Sequence, residues 1–407
     1  MSWDDSHAKA TIQGAVENDL YTYNYEIRVA EGTYKKGNNS NIVNLMNGRE
    51  IKIYGSLVKG ATTIENRDFE SNASILDCEN VFKMIVFYNC EDILFDGFTV
   101  TRLGIHEGFR SDEYFQGMHG RDNCVVNCTF TDNEGNFEYY DYGETGVLEK
   151  CKFIDNPGNF CNGILHTGGN SNVSKSVFDN NNNGALTIYD DCYISNCIFN
   201  NNKDKGAIII VSENGSPTVL NCTFKDNYST MKTGGGAIAV GKFNSELACD
   251  PVIVNCTFYG NSAMSPGGSV SFYGHIGNKN PKIYNCIFDE LSSSQQGMGH
   301  CIYADNSSED EIIMKNCYIK QDENYVEGYI TYNDCFEDKN NGTGLDINTL
   351  HLSSSSVCID MGSDDLLPED KADLNGNGDR EENITLDLDL NNRISGETVD
   401  PGAYERQ

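Results

Sequence analysis

The sequence predicts an all-β fold: a single-stranded, right-handed parallel β-helix with three strands per coil and a short N-terminal helical cap. Three observations lead there. One short phrase recurs along the chain, its apolar positions alternate as in a strand, and Gly and Asn clusters separate the copies.

The phrase is Val125-Val-Asn-Cys-Thr-Phe-Thr-Asp-Asn133. Its relatives are Leu148-Glu-Lys-Cys-Lys-Phe-Ile-Asp-Asn156, Val173-Ser-Lys-Ser-Val-Phe-Asp-Asn-Asn181 and Ile194-Ser-Asn-Cys-Ile-Phe-Asn-Asn-Asn202. Two more follow, Val219-Leu-Asn-Cys-Thr-Phe-Lys-Asp-Asn227 and Ile253-Val-Asn-Cys-Thr-Phe-Tyr-Gly-Asn261. Looser copies stand at Ile283-Tyr-Asn-Cys-Ile-Phe288 and Met314-Lys-Asn-Cys-Tyr-Ile319. A spacing of roughly 20 to 35 residues is that of a solenoid, where each unit buries its apolar face only against its neighbours.

Cys128 and Phe130 are two residues apart, so they share one face of a strand. Val125 has the wrong parity for that strand, and the chain must bend between Val125 and Cys128. Asn precedes the Cys in most copies, and Asn tolerates the left-handed backbone of a sharp corner. Each copy therefore reads as two short strands meeting at an Asn corner. Gly announces a third strand in Gly184-Ala-Leu-Thr-Ile188, Gly206-Ala-Ile-Ile-Ile210, Gly236-Ala-Ile-Ala-Val240 and Gly268-Ser-Val-Ser-Phe272. The second and fourth residues after each Gly face inward. Coils stack about 4.8 Å apart, and parallel crossovers are overwhelmingly right-handed.

Towards the N-terminus, Ser6 to Glu17 reads as an amphipathic helix with Ala8, Ile12, Ala15 and Val16 on one face. Such a helix suits the open apolar end of a solenoid. Alternating strands follow at Tyr25–Tyr34, Arg49–Gly55, Ala73–Cys78 and Asp92–Val100, the first irregular coils. The expected organisation is a cap over 1–24, the β-helix over 25–335 and a C-terminal capping region over 336–407. Residues 105–120, the run Phe137-Glu-Tyr-Tyr-Asp-Tyr142, and the turns at 228–235 and 243–250 interrupt the coil rhythm. Loops on a rigid solenoid commonly carry binding function.

The chain has 407 residues and a net charge of −32, from 29 basic against 61 acidic side chains. That balance argues against nucleic acid and against anionic membrane surfaces. No apolar run approaches the ~20 residues of a membrane span. Of 16 Cys, seven hold the repeated inner position and read as small buried apolar residues. Cys124, Cys161, Cys192, Cys249 and Cys335 lie off that ladder, and a few of these could pair. The opening residues, Met1-Ser-Trp-Asp-Asp, are polar and carry no signal-peptide pattern, so an exported chain would have lost its leader.

Several of these motifs resemble known families. The order Ile-x-Val-Ala-x-Gly-Thr-Tyr34, Ile51-Lys-Ile-Tyr-Gly55, Ile75-Leu-Asp77 and Asp96-Gly-Phe-Thr-Val100 resembles secreted bacterial proteins with a pectate-lyase-like β-helix. Phe-x-x-Asn paired with Gly235-Gly-Ala-Ile238 is similar to the repeats of polymorphic outer-membrane proteins and related adhesins. Cys358-Ile-Asp-Met-Gly362, Asp387-Leu-Asp-Leu-Asn-Asn-Arg393 and Val399-Asp-Pro-Gly-Ala-Tyr-Glu405 are similar to the choice-of-anchor Q domain of surface proteins, with Pro401 where that family has Ile. The resemblance spans nearly the whole chain and implies a secreted or cell-surface protein.

The outward face of the Gly-led strand is a candidate floor for an elongated ligand such as a glycan. It carries His166, Thr187, Ile209, Ser271 and His300, flanked by Asp190, Asp191 and Glu213. A long, partly apolar ladder of that kind must be either covered or used. β-helix lyases carry a Lys or Arg base beside calcium-binding carboxylates, and no Lys or Arg stands on this ladder. Hydrolases need carboxylates at defined separation, and adjacent Asp190 and Asp191 would face opposite ways. His106, Arg110, His119 and Arg121 could converge from the inserted loop. Asp373-Leu-Asn-Gly-Asn-Gly-Asp379 matches the opening of a calcium loop, with Asp373, Asn375, Asn377, Asp379 and Glu381 as candidate oxygens. Ile384 stands where an EF-hand has its bidentate Glu, so any calcium here would be structural and outside an EF-hand. These features favour an adhesin-like, non-catalytic protein whose partner is a glycan or a cell-surface protein. A polysaccharide lyase or glycoside hydrolase on the same scaffold is the alternative.

Overall fold

The computed structural model describes residues 11–17, 25–35, 41–59, 61, 63–65, 67–81, 84–105, 116–158, 163–212, 215–241, 249–273, 280–289, 301–304, 312–319, 329–331, 336 and 350–407. The helix is present as Ile12–Glu17. Ile12 and Val16 are buried at the start of the core. Gln13 pairs like a strand with the strand Val43–Met46: its Nε2 donates to Asn44 O (3.2 Å), and its Oε1 accepts from Asn44 N (2.6 Å). That contact closes backbone groups that an open solenoid end leaves exposed.

Each regular coil has the three expected strands. One coil holds Leu165–Gly169, Asn172–Ser174 and Val177–Asp179. The next holds Leu186–Ile188, Tyr193–Ser195 and Ile198–Asn200. Every strand of the first coil pairs in parallel with its counterpart in the second. Among the described residues, the first and second strands build a sheet of twenty strands and the third builds one of twelve.

The corner before the Cys is left-handed in every copy. φ is 52° at Asn127, 50° at Asn196, 48° at Asn221, 49° at Asn255 and 52° at Asn316. Lys150 and Lys175 adopt it too, at 54° and 47°. Stacking therefore dictates the bend, and Asn adopts it at lower cost than Lys. A second left-handed corner, unforeseen in the sequence, follows the Phe at Asp132, Asp155, Asn180, Asn201 and Asp226.

Like residues lie over like. Phe130, Phe153, Phe178, Phe199, Phe224, Phe258 and Phe288 form a column with ring centroids 4.5 to 4.9 Å apart and planes within 7° of parallel. Each contact adds about 0.5–1.5 kcal/mol beyond area burial. The Cys column lies beside it, and Cys128 Sγ donates to Val126 O (3.2 Å) in its own coil. Burial pushes the thiols of Cys151, Cys197, Cys222 and Cys286 up, which suits inert packing residues rather than nucleophiles. Cys124 and Cys192 carry free thiols. Cys358 is disulfide-bonded. Cys161 and Cys335 lie outside the described residues.

A third column closes each phrase. Asn133, Asn156, Asn181, Asn202, Asn227 and Asn261 are fully or almost fully buried. From Asn156 onward, the Oδ1 of each accepts both the backbone N–H and the side-chain amide of the Asn one coil earlier, and Asn133 Oδ1 accepts from Leu103 N (2.8 Å). For Asn181 on Asn202 the distances are 3.2 and 2.9 Å. The same amide reaches back to the coil before, Asn181 Nδ2 donating to Phe153 O (2.9 Å). Every polar atom of these buried amides is thus used, which is the condition for burying them without penalty.

Residues 350–407 run along the flank of the coils. Asn221 Nδ2 donates to Leu386 O (2.8 Å), Asn285 Nδ2 to Ser363 O (3.1 Å) and Asn316 Nδ2 to Met361 O (3.2 Å). The corner Asn residues therefore serve a second purpose, as donors to this strap. Leu367, Ile384 and Val399 cover the outward Tyr193, Leu220 and Val254. Leu350, Leu352, Ala403 and Tyr404 cover Tyr259, Ile287 and Tyr318. Arg393 is fully buried and donates to Ala403 O (3.0 Å), Asp400 O (2.7 Å) and Gly402 O (2.6 Å). Ala403 N then donates to Thr257 Oγ1 (2.9 Å), which ties the terminal motif to the third-strand sheet.

The Glu405 carboxylate accepts from Ser395 N (3.0 Å) and Asp400 N (2.9 Å) inside this knot. Burial outweighs those bonds and the Arg393 charge, and pushes the carboxyl from its ordinary 4.5 up to about 7. In that window the folded chain keeps a proton that the unfolded chain has released. The stabilisation is therefore present at acid pH and is lost as pH rises through about 7. Urea midpoints should fall more steeply for the wild type than for Glu405→Gln between about pH 5 and about pH 8.

Candidate functional site

The run Phe137 to Tyr142, expected as an interruption, forms the strand Phe137–Asp141 and stays in register within the coil. It pairs with Gly117–Arg121 on one side and with Leu165–Gly169 on the other. Phe137 and Tyr139 point into the core and are fully buried. Glu138, Tyr140 and Tyr142 therefore share the outward face. Register places Glu138 beside His166 and Tyr140 beside His119.

The polar centre is Glu138. His119 Nε2 lies 3.5 Å from Glu138 Oε2. Asn136 Nδ2 lies 3.4 Å from Glu138 Oε1 and 3.2 Å from His166 Nδ1. Burial pushes the Glu138 carboxyl up, but the His119 contact, the His166 and His119 charges and the Asn136 bond together hold it below its ordinary 4.5. The group is therefore an ionised acceptor at neutral pH.

Tyrosines surround it. The His119 ring lies 4.6 Å from Tyr140 and 6.3 Å from Tyr88. Tyr140 stacks towards Tyr189 at 6.1 Å, and the edge of His166 meets Tyr189 at 5.7 Å. Tyr88 is 46% exposed and Tyr142 54%. Two glycines make the platform flat. A Cβ on Gly168 would stand 2.4 Å from Tyr140 Cε1, and one on Gly169 would stand 3.0 Å from Tyr142 Cδ1. Both rings thus lie down on backbone where any side chain would lift them.

The sequence-derived candidates divide sharply. His166, 5% exposed, belongs to the cluster. Asp190 joins its rim, with Oδ2 accepting from Gly169 N (2.8 Å). Asp191 accepts from Ser216 N in the next coil and is engaged in a turn. Thr187, Ile209 and Ser271 were expected on an open floor and are buried instead. Ser271 Oγ donates to Thr233 O (2.6 Å), so the chain's own turn covers the ladder there. His119 and Arg121 share the outward face of Gly117–Arg121, while Glu213, His300, His106 and Arg110 lie outside the described residues. Glu138, Tyr88, Tyr140, Tyr142 and Tyr189 were missed as site residues. The alternation of Glu138, Tyr140 and Tyr142 was a usable signal, since a strand would put all three on one face.

The Asp373–Glu381 loop is a chain of short-range turns. Asn375 Oδ1 accepts from Asn377 N (3.0 Å), Asn377 Oδ1 from Asp379 N (2.7 Å) and Asp379 Oδ1 from Glu381 N (3.0 Å). The amides of Asn375 and Asn377 both donate to Glu382 Oε1 at 2.7 Å. Among the described residues, no group of three or more His, Cys, Asp or Glu side chains is placed to hold a metal ion. No helix among them is long and apolar enough to cross a membrane.

A family description, right-handed β-helix region, matches residues 59–224 and 162–328. The chain belongs to that family. The crystal structure of pectate lyase Pel9A superposes on this β-helix protein with a TM-score of 0.54 at 14% identity, over 96% of this chain and 90% of that one. At that identity the likeness establishes the fold alone. No curated protein matches the sequence.

Gly168→Ala tests how the platform is built. The added methyl should displace the Tyr140 ring and cost about 1–3 kcal/mol, read by urea unfolding and by a crystal structure of the variant.

Proposed function

We propose that this β-helix protein is a secreted or cell-surface glycan-binding protein, adhesin-like and non-catalytic, and that it binds through the tyrosine–histidine–glutamate face. The observation that carries the reading is the platform itself. Tyr88, Tyr140, Tyr142 and Tyr189 offer apolar ring faces to the C–H faces of sugar rings. Ionised Glu138 sits among them as an acceptor for sugar hydroxyls. The stacked coils hold both in place before any ligand arrives, which spares the cost of ordering them on binding. The cell-surface location rests on the resemblance of the repeats and the C-terminal motif to surface proteins.

One observation favours glycan cleavage as a second reading: Glu138 has two imidazoles within reach, an arrangement that can move protons. Among the described residues, the columns through Glu138 and Tyr140 carry no Lys or Arg, and Arg121, on the same outward face as His119, is the basic residue that this second reading would use.

Calorimetry against neutral and acidic oligosaccharides decides between them. Binding without turnover is expected, weakened at least about tenfold by Tyr140→Ala and by Glu138→Gln with the melting temperature unchanged. New reducing or unsaturated ends that vanish in Glu138→Gln would establish cleavage instead.

A further inference from the structure

The charge around the tyrosine platform sorts its ligands. Two carboxylates border it. Glu138 is held ionised at one edge, with His119 Nε2 3.5 Å away. Asp190 is exposed at the other edge, and its Oδ2 lies 2.7 Å from the Cβ position of Gly168, where the Tyr140 ring also lies. Asp190 is close enough to act on the neighbouring ring: burial raises the Tyr142 phenol first, and the Asp190 charge raises it further.

At the Glu138 edge the compensating groups include two imidazoles, His119 and His166, which are charged only when protonated. Among the described residues, the outward columns through Glu138 and Tyr140 carry no Lys or Arg. Arg121 stands two residues along the strand from His119, and its charge acts on Asp122. The carboxylate of its register neighbour Glu91 is bonded to Arg49 (3.2 Å). The chain as a whole carries −32.

We infer that the face selects a neutral glycan and rejects a polyuronate, an inference that rests on the glycan-binding reading above. Hydroxyls of a neutral sugar can donate to Glu138 and Asp190 while its ring lies on Tyr140 or Tyr142. A sugar carboxylate on the same ring brings a third negative charge towards two others. Unit charges about 10 Å apart near a protein surface cost on the order of tenfold in affinity. The expected preference thus differs from that of a pectate-binding β-helix, although the scaffold is shared.

The test compares neutral gluco-, galacto- and manno-oligosaccharides with oligogalacturonates of equal length by calorimetry, in chelator and again with calcium. The expected result is binding of at least one neutral series, with uronates at least about tenfold weaker in both buffers. Asp190→Asn should narrow that gap by removing one of the two charges. Uronate binding as tight as neutral binding, with or without calcium, would overturn the specificity and leave the glycan-binding reading standing. A gap unchanged in Asp190→Asn would also count against it. Binding of neither series would remove the glycan-binding reading and the specificity with it.

Discussion

A buried column of side-chain amides sets the register of this molecule. From Asn156 to Asn261, each Oδ1 takes two hydrogens from the coil before it, and each Nδ2 donates to a Phe carbonyl of that same preceding coil, while Asn133 opens the column by accepting from Leu103 N. An amide shifted by one residue would face solvent and leave polar groups in the core unpaired, at about 1–3 kcal/mol for each. The Phe rings add attraction along the same axis but would tolerate some sliding. Hydrogen bonds are directional, so the amides choose the alignment and the rings deepen it.

That alignment is what gives the outer surface any order. Because coils superpose residue on residue, an outward side chain has known neighbours above and below. Glu138 falls beside His166, and Tyr140 beside His119, for the same reason that Phe130 falls beside Phe153. Where the outward residues are small, as at Ala239 and Ser271, turns of the chain close over them. Where Gly168 and Gly169 leave bare backbone, tyrosine rings lie down instead. The strap adds a second use of repetition, since a corner Asn that exists to turn the chain also supplies a regular row of donors to residues 361–387.

Much of the fold was legible in the sequence because its cause is local and repeated. Parity between Val125 and Cys128 demanded a bend, and the Asn between them named its conformation. Other features were less readable. The terminal Asn of each phrase stood in plain view, but its role depends on a partner in the next coil, and a single phrase shows no partner. Phe137 to Tyr142 looked like a disturbance because its aromatic density differs from that of its neighbours, yet its alternation fits a strand. The covered state of Thr187 and Ile209 depends on how turns fold back across coils, a long-range matter that alternation does not encode. His166 was recoverable because the Gly-led strand fixed its direction; Glu138 was not, because the strand carrying it was read as a loop.

Hydrogen exchange of asparagine side-chain amides, followed by NMR on chain labelled only at asparagine, tests the amide column most directly. The account expects a small set of side-chain amides, those of the buried column, to exchange as slowly as the core backbone, and expects Asn202→Ala to release Asn181 from that set. Uniformly fast exchange at every asparagine side chain would contradict it, because no continuous amide column would then hold the coils in register.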